Sequence, residues 1–175
     1  MCSSDLHETA GTAGALDRAR AWAALADRHY WDKTAGGYFF TADDAGDLIA
    51  RTKSAHDNAT PSGNAVMVQV LTRLYCHTGE SAYRDRAEAT VAAFSGEIGR
   101  NFFPLGTLLN AAELLARPLQ VAVVGQRGEP ATEVLMRTIA TSASLPNLVL
   151  QVVAPGAALP PGHPAAGKTQ AGGKP

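Results

Sequence analysis

Thr60–Ile98, TPSGNAVMVQVLTRLYCHTGESAYRDRAEATVAAFSGEI, is the stretch on which the fold turns. Thr60 is placed to cap a helix and Pro61 to take its first position, where a missing N–H costs nothing. Val66, Val70, Leu71 and Leu74 follow at three- and four-residue spacing up to Gly79, a residue suited to closing a helix in the left-handed conformation. A second helix is expected from Ser81 to about Ile98, with Tyr83, Ala87, Val91 and Phe94 on one stripe. So short a connection folds the two into an antiparallel hairpin.

Working outward, Ala15–Tyr30 carries Leu16, Ala19, Trp22, Ala23, Ala26 and Tyr30 at helical spacing, and Gly36-Gly37 ends that segment. Tyr38–Thr41 and Leu48–Arg51 flank the turn-rich ADDAGD, which predicts a β-hairpin. On the other side, Pro104–Ala116 reads as a helix with Leu105, Leu108, Leu109, Ala112 and Leu115 on its apolar stripe. Gln120–Val124, a helix over Pro130–Ser142, and Leu148–Val153 then predict a βαβ unit with parallel strands. The expected fold is mainly α, built of antiparallel helical hairpins with a β-hairpin insertion and a C-terminal βαβ element.

Composition bounds the function. Of 175 residues, 46% are hydrophobic and 18% charged, which is enough apolar material for a core. Net charge is −1 with no Lys/Arg stripe, so nucleic acid is not an expected partner. No apolar run approaches the ~20 residues that cross a bilayer, so no membrane association is expected. Cys2 and Cys76 make no C-x-x-C, disulfide framework or metal-ligand cluster. A cytoplasmic chain with no metal and no cofactor is therefore expected. Met1–Leu6 reads as non-native sequence, and residues 155–175 as a flexible Pro/Gly/Ala-rich tail. Within that tail, Gly162–Thr169 fits G-x-x-x-x-G-K-[ST] letter for letter. No strand feeds it and no helix follows, so a phosphate loop is rejected.

Chemistry-bearing residues concentrate in Gly36–Asn64, GGYFFTADDAGDLIARTKSAHDNATPSGN. Tyr38 and Phe39 offer a flat face for a sugar ring. Asp57, Asn58, Ser62 and Asn64 offer donors and acceptors to paired hydroxyls. Arg51 and Lys53 can hold a carboxylate or phosphate. The free N–H groups of the following helix favour an anion or a hydroxyl-rich ligand at the same place. Catalytic candidates are Asp57, Asp44 and His56. His56 and Asp57 are adjacent, and neighbours in a loop point apart, so they are not a dyad by spacing. Asp44 and Asp57 are the carboxyl pair to test, since glycosidases need two carboxyls roughly 5–9.5 Å apart. The bland alternative assigns Tyr38 and Phe40 to the core and Asp57 and Asn58 to local backbone bonds.

GGYFFTADD, R-x-K, DNATPSGNA, LxRLYxxTGE-xxY and RPLQVAVVG occur here in that order. Together they resemble the C-terminal part of bacterial YyaL-type proteins, thioredoxin-domain-containing proteins akin to the spermatogenesis-associated thioredoxin-like family of animals. The resemblance implies a longer protein, with an N-terminal thioredoxin-like domain and a six-hairpin (α/α) toroid like that of N-acylglucosamine 2-epimerase and six-hairpin glycosidases. Residues 7–117 would be part of that toroid and 118–154 the terminal βαβ element. The thioredoxin-like domain and the remaining hairpins would be the missing partners. In such a toroid the loops converge on one mouth, which implies a sugar-like ligand and epimerase- or hydrolase-like chemistry. A non-catalytic scaffold presenting the thioredoxin-like domain is the alternative. As a slice of a ring, the chain should leave the apolar faces of Ala15–Tyr30 and Pro104–Ala116 partly uncovered.

Overall fold

In the computed structural model the residues described are 7–8, 10–12, 14–46, 49–142, 146–159, 163 and 165–172. Four long helices come first: α1 (Ala15–His29), α2 (Gly63–Thr78), α3 (Ser81–Ile98) and, after a 3-10 turn at Phe103–Leu105, α4 (Gly106–Ala116). Strand β1 (Leu119–Val124), helix α5 (Pro130–Ser142) and strand β2 (Leu148–Val153) follow. The chain is mainly helical with one two-stranded sheet.

Helix α2 is the axis of the molecule. Its residues Ala65, Val68, Leu71 and Leu74 are fully buried, and it packs against α1, α3 and α4. Gly79 closes it with φ 72 and donates its N–H to Tyr75 O, as the sequence predicts. Ala87 and Phe94 of α3 and Leu105, Leu108 and Ala111 of the α4 region complete the main core with Tyr38 and Ala55. The strands run parallel in register, Leu119 opposite Leu148 through Val124 opposite Val153. The order of strand, helix and parallel strand is therefore as read from the sequence.

Four expectations are corrected. Thr60 does not cap α2, because the chain turns once more and Ser62 takes the cap position. The α4 stripe buries Ala111 and Leu114, one position before the expected Ala112 and Leu115. Helix α1 buries Ala15, Ala19 and Ala23 and leaves Trp22 64% exposed. A face of small side chains lets α1 approach Leu74 closely and rotates the indole outward. The β-hairpin is not formed: among the described residues Tyr38 makes a single antiparallel bridge to Trp31, and one backbone bond joins Phe40 N–H to Thr52 O. Asp47 and Leu48 lie outside the described residues.

The uncovered apolar surface is only half as expected. Trp22 and Leu25 of α1 are exposed, whereas Leu105, Leu108 and Leu114 are covered, and exposure passes instead to Phe102 and Phe103. No helix is long and apolar enough to cross a membrane among the described residues.

Gly36 and Gly37 shape the approach to the site. Both hold positive φ, 71° and 77°. A Cβ on Gly36 would stand 2.7 Å from the Ala89 carbonyl oxygen of α3, which is backbone and cannot step aside. Gly36→Ala is expected to cost about 2 kcal/mol, combining a strained left-handed residue with a clash, as read from its denaturation midpoint.

Candidate functional site

The loop between α1 and α2 is held from inside by the residues that looked available to a ligand. Asn64, 2% exposed at the start of α2, accepts the Tyr38 N–H at 2.7 Å. Its amide donates to Tyr38 O at 2.9 Å and Ser54 O at 3.0 Å. Asp57 accepts the Ser62 N–H at 2.9 Å on one oxygen and the Thr107 N–H at 2.7 Å on the other. One carboxylate thus caps the N-terminal ends of both α2 and α4. Burial opposes its charge, but the Thr107 and Ser62 N–H groups outweigh it and hold the carboxyl below the usual carboxylate range. Such a group is a poor general acid.

The two cations fold back as well. Arg51 donates to Thr41 O and to His29 O, 2.6 Å away, and lies 4.3 Å over the Phe39 ring. Lys53 pairs with Asp32 at 2.6 Å and donates to Gly36 O. The Lys53 ammonium, helped by the Thr34 and Ala35 amides, holds the Asp32 carboxyl down to about 2. Tyr38 is buried, and its hydroxyl donates to Asp27 at 2.6 Å. Burial first, then Asp27, pushes that phenol's pKa far up, so it stays protonated. Ser62 is buried and its hydroxyl reaches Ser54 O at 3.4 Å, while Asn58 is exposed.

The catalytic candidates stand with different partners. His56 Nε2 meets Glu97 Oε2 at 2.9 Å, across the loop from α3 and away from any pairing with Asp57. Asp44 lies beside His29 with Asp43: His29 Nδ1 is 2.9 Å from Asp43 and 3.8 Å from Asp44. The ligand atoms of these three groups fall within 4.8 Å of one another, on the exposed surface. A hydrogen bond from His29 holds the Asp43 carboxyl below its ordinary range.

What remains open is apolar. A recess of about 250 Å³ lies against the first turn of α2, lined by Tyr30, Phe39, Phe40, Met67, Gly63 and Asn64, with Tyr38 and Ala26 beneath. Phe40, which the bland alternative assigned to the core, is 59% exposed at its rim. The failed hairpin explains this, since without strand alternation Phe40 has no inward face to occupy. Sequence reasoning missed Tyr30 and Met67, although both share the helical spacing that marks the inner faces of α1 and α2. It also missed Thr107, which no local pattern ties to Asp57.

Cys76 is buried, and burial first, then Glu8, pushes its thiol up to about 11. It is inert, as its place in a helix suggests.

No family model matches the chain. Over 148 residues, 83% of this chain, it is 30% identical to spermatogenesis-associated protein 20 of Homo sapiens. The proteins of the same name from Rattus norvegicus and Mus musculus match with the same identity and coverage. The resemblance to the spermatogenesis-associated proteins of animals is thus shown. The chain spans about a fifth of the length of these curated relatives, 19% in each case.

Proposed function

We propose that this chain, a relative of one stretch of spermatogenesis-associated protein 20, supplies one wall of a binding site for a neutral, sugar-like ring. The observation that carries this is the open aromatic recess against the first turn of α2. Aromatic faces pack well on the apolar side of a ring, and rim groups then orient its hydroxyls. The ligand is neutral because the positive charges nearby are already spent. Asp57 occupies the two helix N-termini, and Arg51 and Lys53 are bonded to the loop itself. A phosphate or carboxylate would have to displace them.

The chemistry of an epimerase or hydrolase, if the longer protein has one, needs an acid–base pair that this wall does not assemble. The recess binds; its reacting groups would come from elsewhere in a closed (α/α) toroid. The test is calorimetric titration of the full-length protein with neutral N-acyl hexosamines and, separately, their phosphates. Phe40→Ala removes an exposed ring without touching the core. It is expected to weaken binding of the neutral sugar about two- to thirteenfold, the loss of a stacking contact worth about 0.5–1.5 kcal/mol. No saturable binding, or affinity untouched by Phe40→Ala, removes the reading.

One observation favours a second reading. Arg51, Lys53, Asp57 and Asn64 are all engaged within the chain, as a scaffold would have them. On that reading the helical part positions a thioredoxin-like domain against protein clients. All thiol activity of the longer protein would then survive on the isolated thioredoxin-like part.

A further inference from the structure

At the opposite end of α2, a buried polar chain ties the C-terminal segment to the sheet. Gln151 of β2 donates its amide N–H to Cys76 O at 3.0 Å, and its carbonyl oxygen lies 2.6 Å from His163 Nε2. The Ala165 N–H reaches His163 Nδ1 at 3.1 Å. An amide N–H can only donate, so Nδ1 is bare and the single imidazole proton sits on Nε2, aimed at Gln151. Gln151 and His163 are each 8% exposed and Ala165 3%.

Beyond His163 the segment turns through Ala166 N–H to His163 O and Lys168 N–H to Ala165 O. Ala165, Gly167 and Thr169 wall a crevice of about 390 Å³ whose other side is Val124 and Val153, at the carboxyl ends of the parallel strands. Among the described residues from 163 to 172, His163 is the one whose side chain bonds the body of the protein.

We propose that His163 is a proton-released latch on this crevice: neutral, it holds residues 165–169 against the strand ends, and a proton on Nδ1 lets them go. The added proton would point at the Ala165 N–H and break that bond. It would also leave a buried imidazolium with no described carboxylate against it. Helix α2 presents His77 and the Cys76 carbonyl, β2 presents neutral Gln151, and Glu8 of the N-terminal segment is already paired with Arg73 and His77. Burial first, then the charge of His77, keeps the His163 imidazole below its ordinary value. The latched state is therefore favoured fully above about pH 6.5 and loses ground as pH falls from there to the folded-state value.

Hydrogen–deuterium exchange over residues 165–172 of the whole chain, corrected for the intrinsic effect of pH, reads the opening directly. Between about pH 7.5 and 6.5 protection should be flat. Below that, opening should rise by up to about tenfold per pH unit and then level off, as one proton requires. His163→Gln keeps a donor for Gln151 and cannot charge, so its profile should stay flat throughout. A flat wild-type profile overturns the latch without recourse to any variant, and an acid rise that persists in His163→Gln overturns it equally.

Discussion

Asn64→Ala is expected to lower stability by about 3 kcal/mol and the thermal midpoint by roughly 6–12 °C in a chain of this size. The side chain is 2% exposed and makes three hydrogen bonds, two to Tyr38 and one to Ser54. Truncation strands a buried N–H and weakens two carbonyls, and each stranded group costs about 1–3 kcal/mol because no water replaces the amide. Asn64→Asp should be comparably severe, since a carboxylate would then face the Tyr38 and Ser54 carbonyl oxygens. Chemical denaturation of the two variants beside the parent gives the comparison. A loss under about 1 kcal/mol for Asn64→Ala would mean that the amide does not clasp the loop.

Asp57→Ala should cost about 1–4 kcal/mol, from two caps worth about 0.5–2 kcal/mol each. It leaves the Ser62 and Thr107 amides without their acceptor, so α2 and α4 fray at their starts together. Asp57→Asn keeps one carbonyl oxygen and turns the other into a donor facing an N–H, so it should fall between parent and Ala. The depressed pKa adds a pH signature. Stability from this carboxylate is present above its ordinary value near pH 3.9 and is lost as pH falls through its lower folded value. The acid limb of the unfolding curve should flatten in Asp57→Ala. An unchanged limb would show that the caps carry no net charge advantage.

These two residues also mark where sequence reading stopped. Helices with strong periodicity were legible to within a residue: α3 and α5 begin and end as read, because their stripes and the flanking Gly79 and Pro130 are local signals. So was the parallel pair, since connection length decides its topology. Helix α1 shows the first failure. A stripe drawn through Trp22 is the obvious one by hydrophobicity, but close approach of Ala19 and Ala23 to Leu74 wins.

The loop shows the second. Its residue types promised a polar site, but Arg51, Lys53, Asp57 and Asn64 bond within the chain instead. Their partners lie 26 positions away for Asn64 and Tyr38, and 50 for Asp57 and Thr107, distances over which no spacing rule operates. Polar groups rich enough to hold a ligand were rich enough to hold the loop. The recess beside them, lined by side chains from α1, α2 and the unpaired aromatic run, could be seen only once those three were set side by side.

The sheet end of α2 has one more implication. Val149 of β2 is fully buried against Cys76 of α2 and Leu114 of α4, and Arg73 donates to the Leu148 carbonyl. The strands and the helices thus own a common floor. Severing the chain near Arg117 would not release a module from its neighbour. It would tear a hole under the last turn of α2, wetting a thiol that a valine from the far side of the cut helps keep dry.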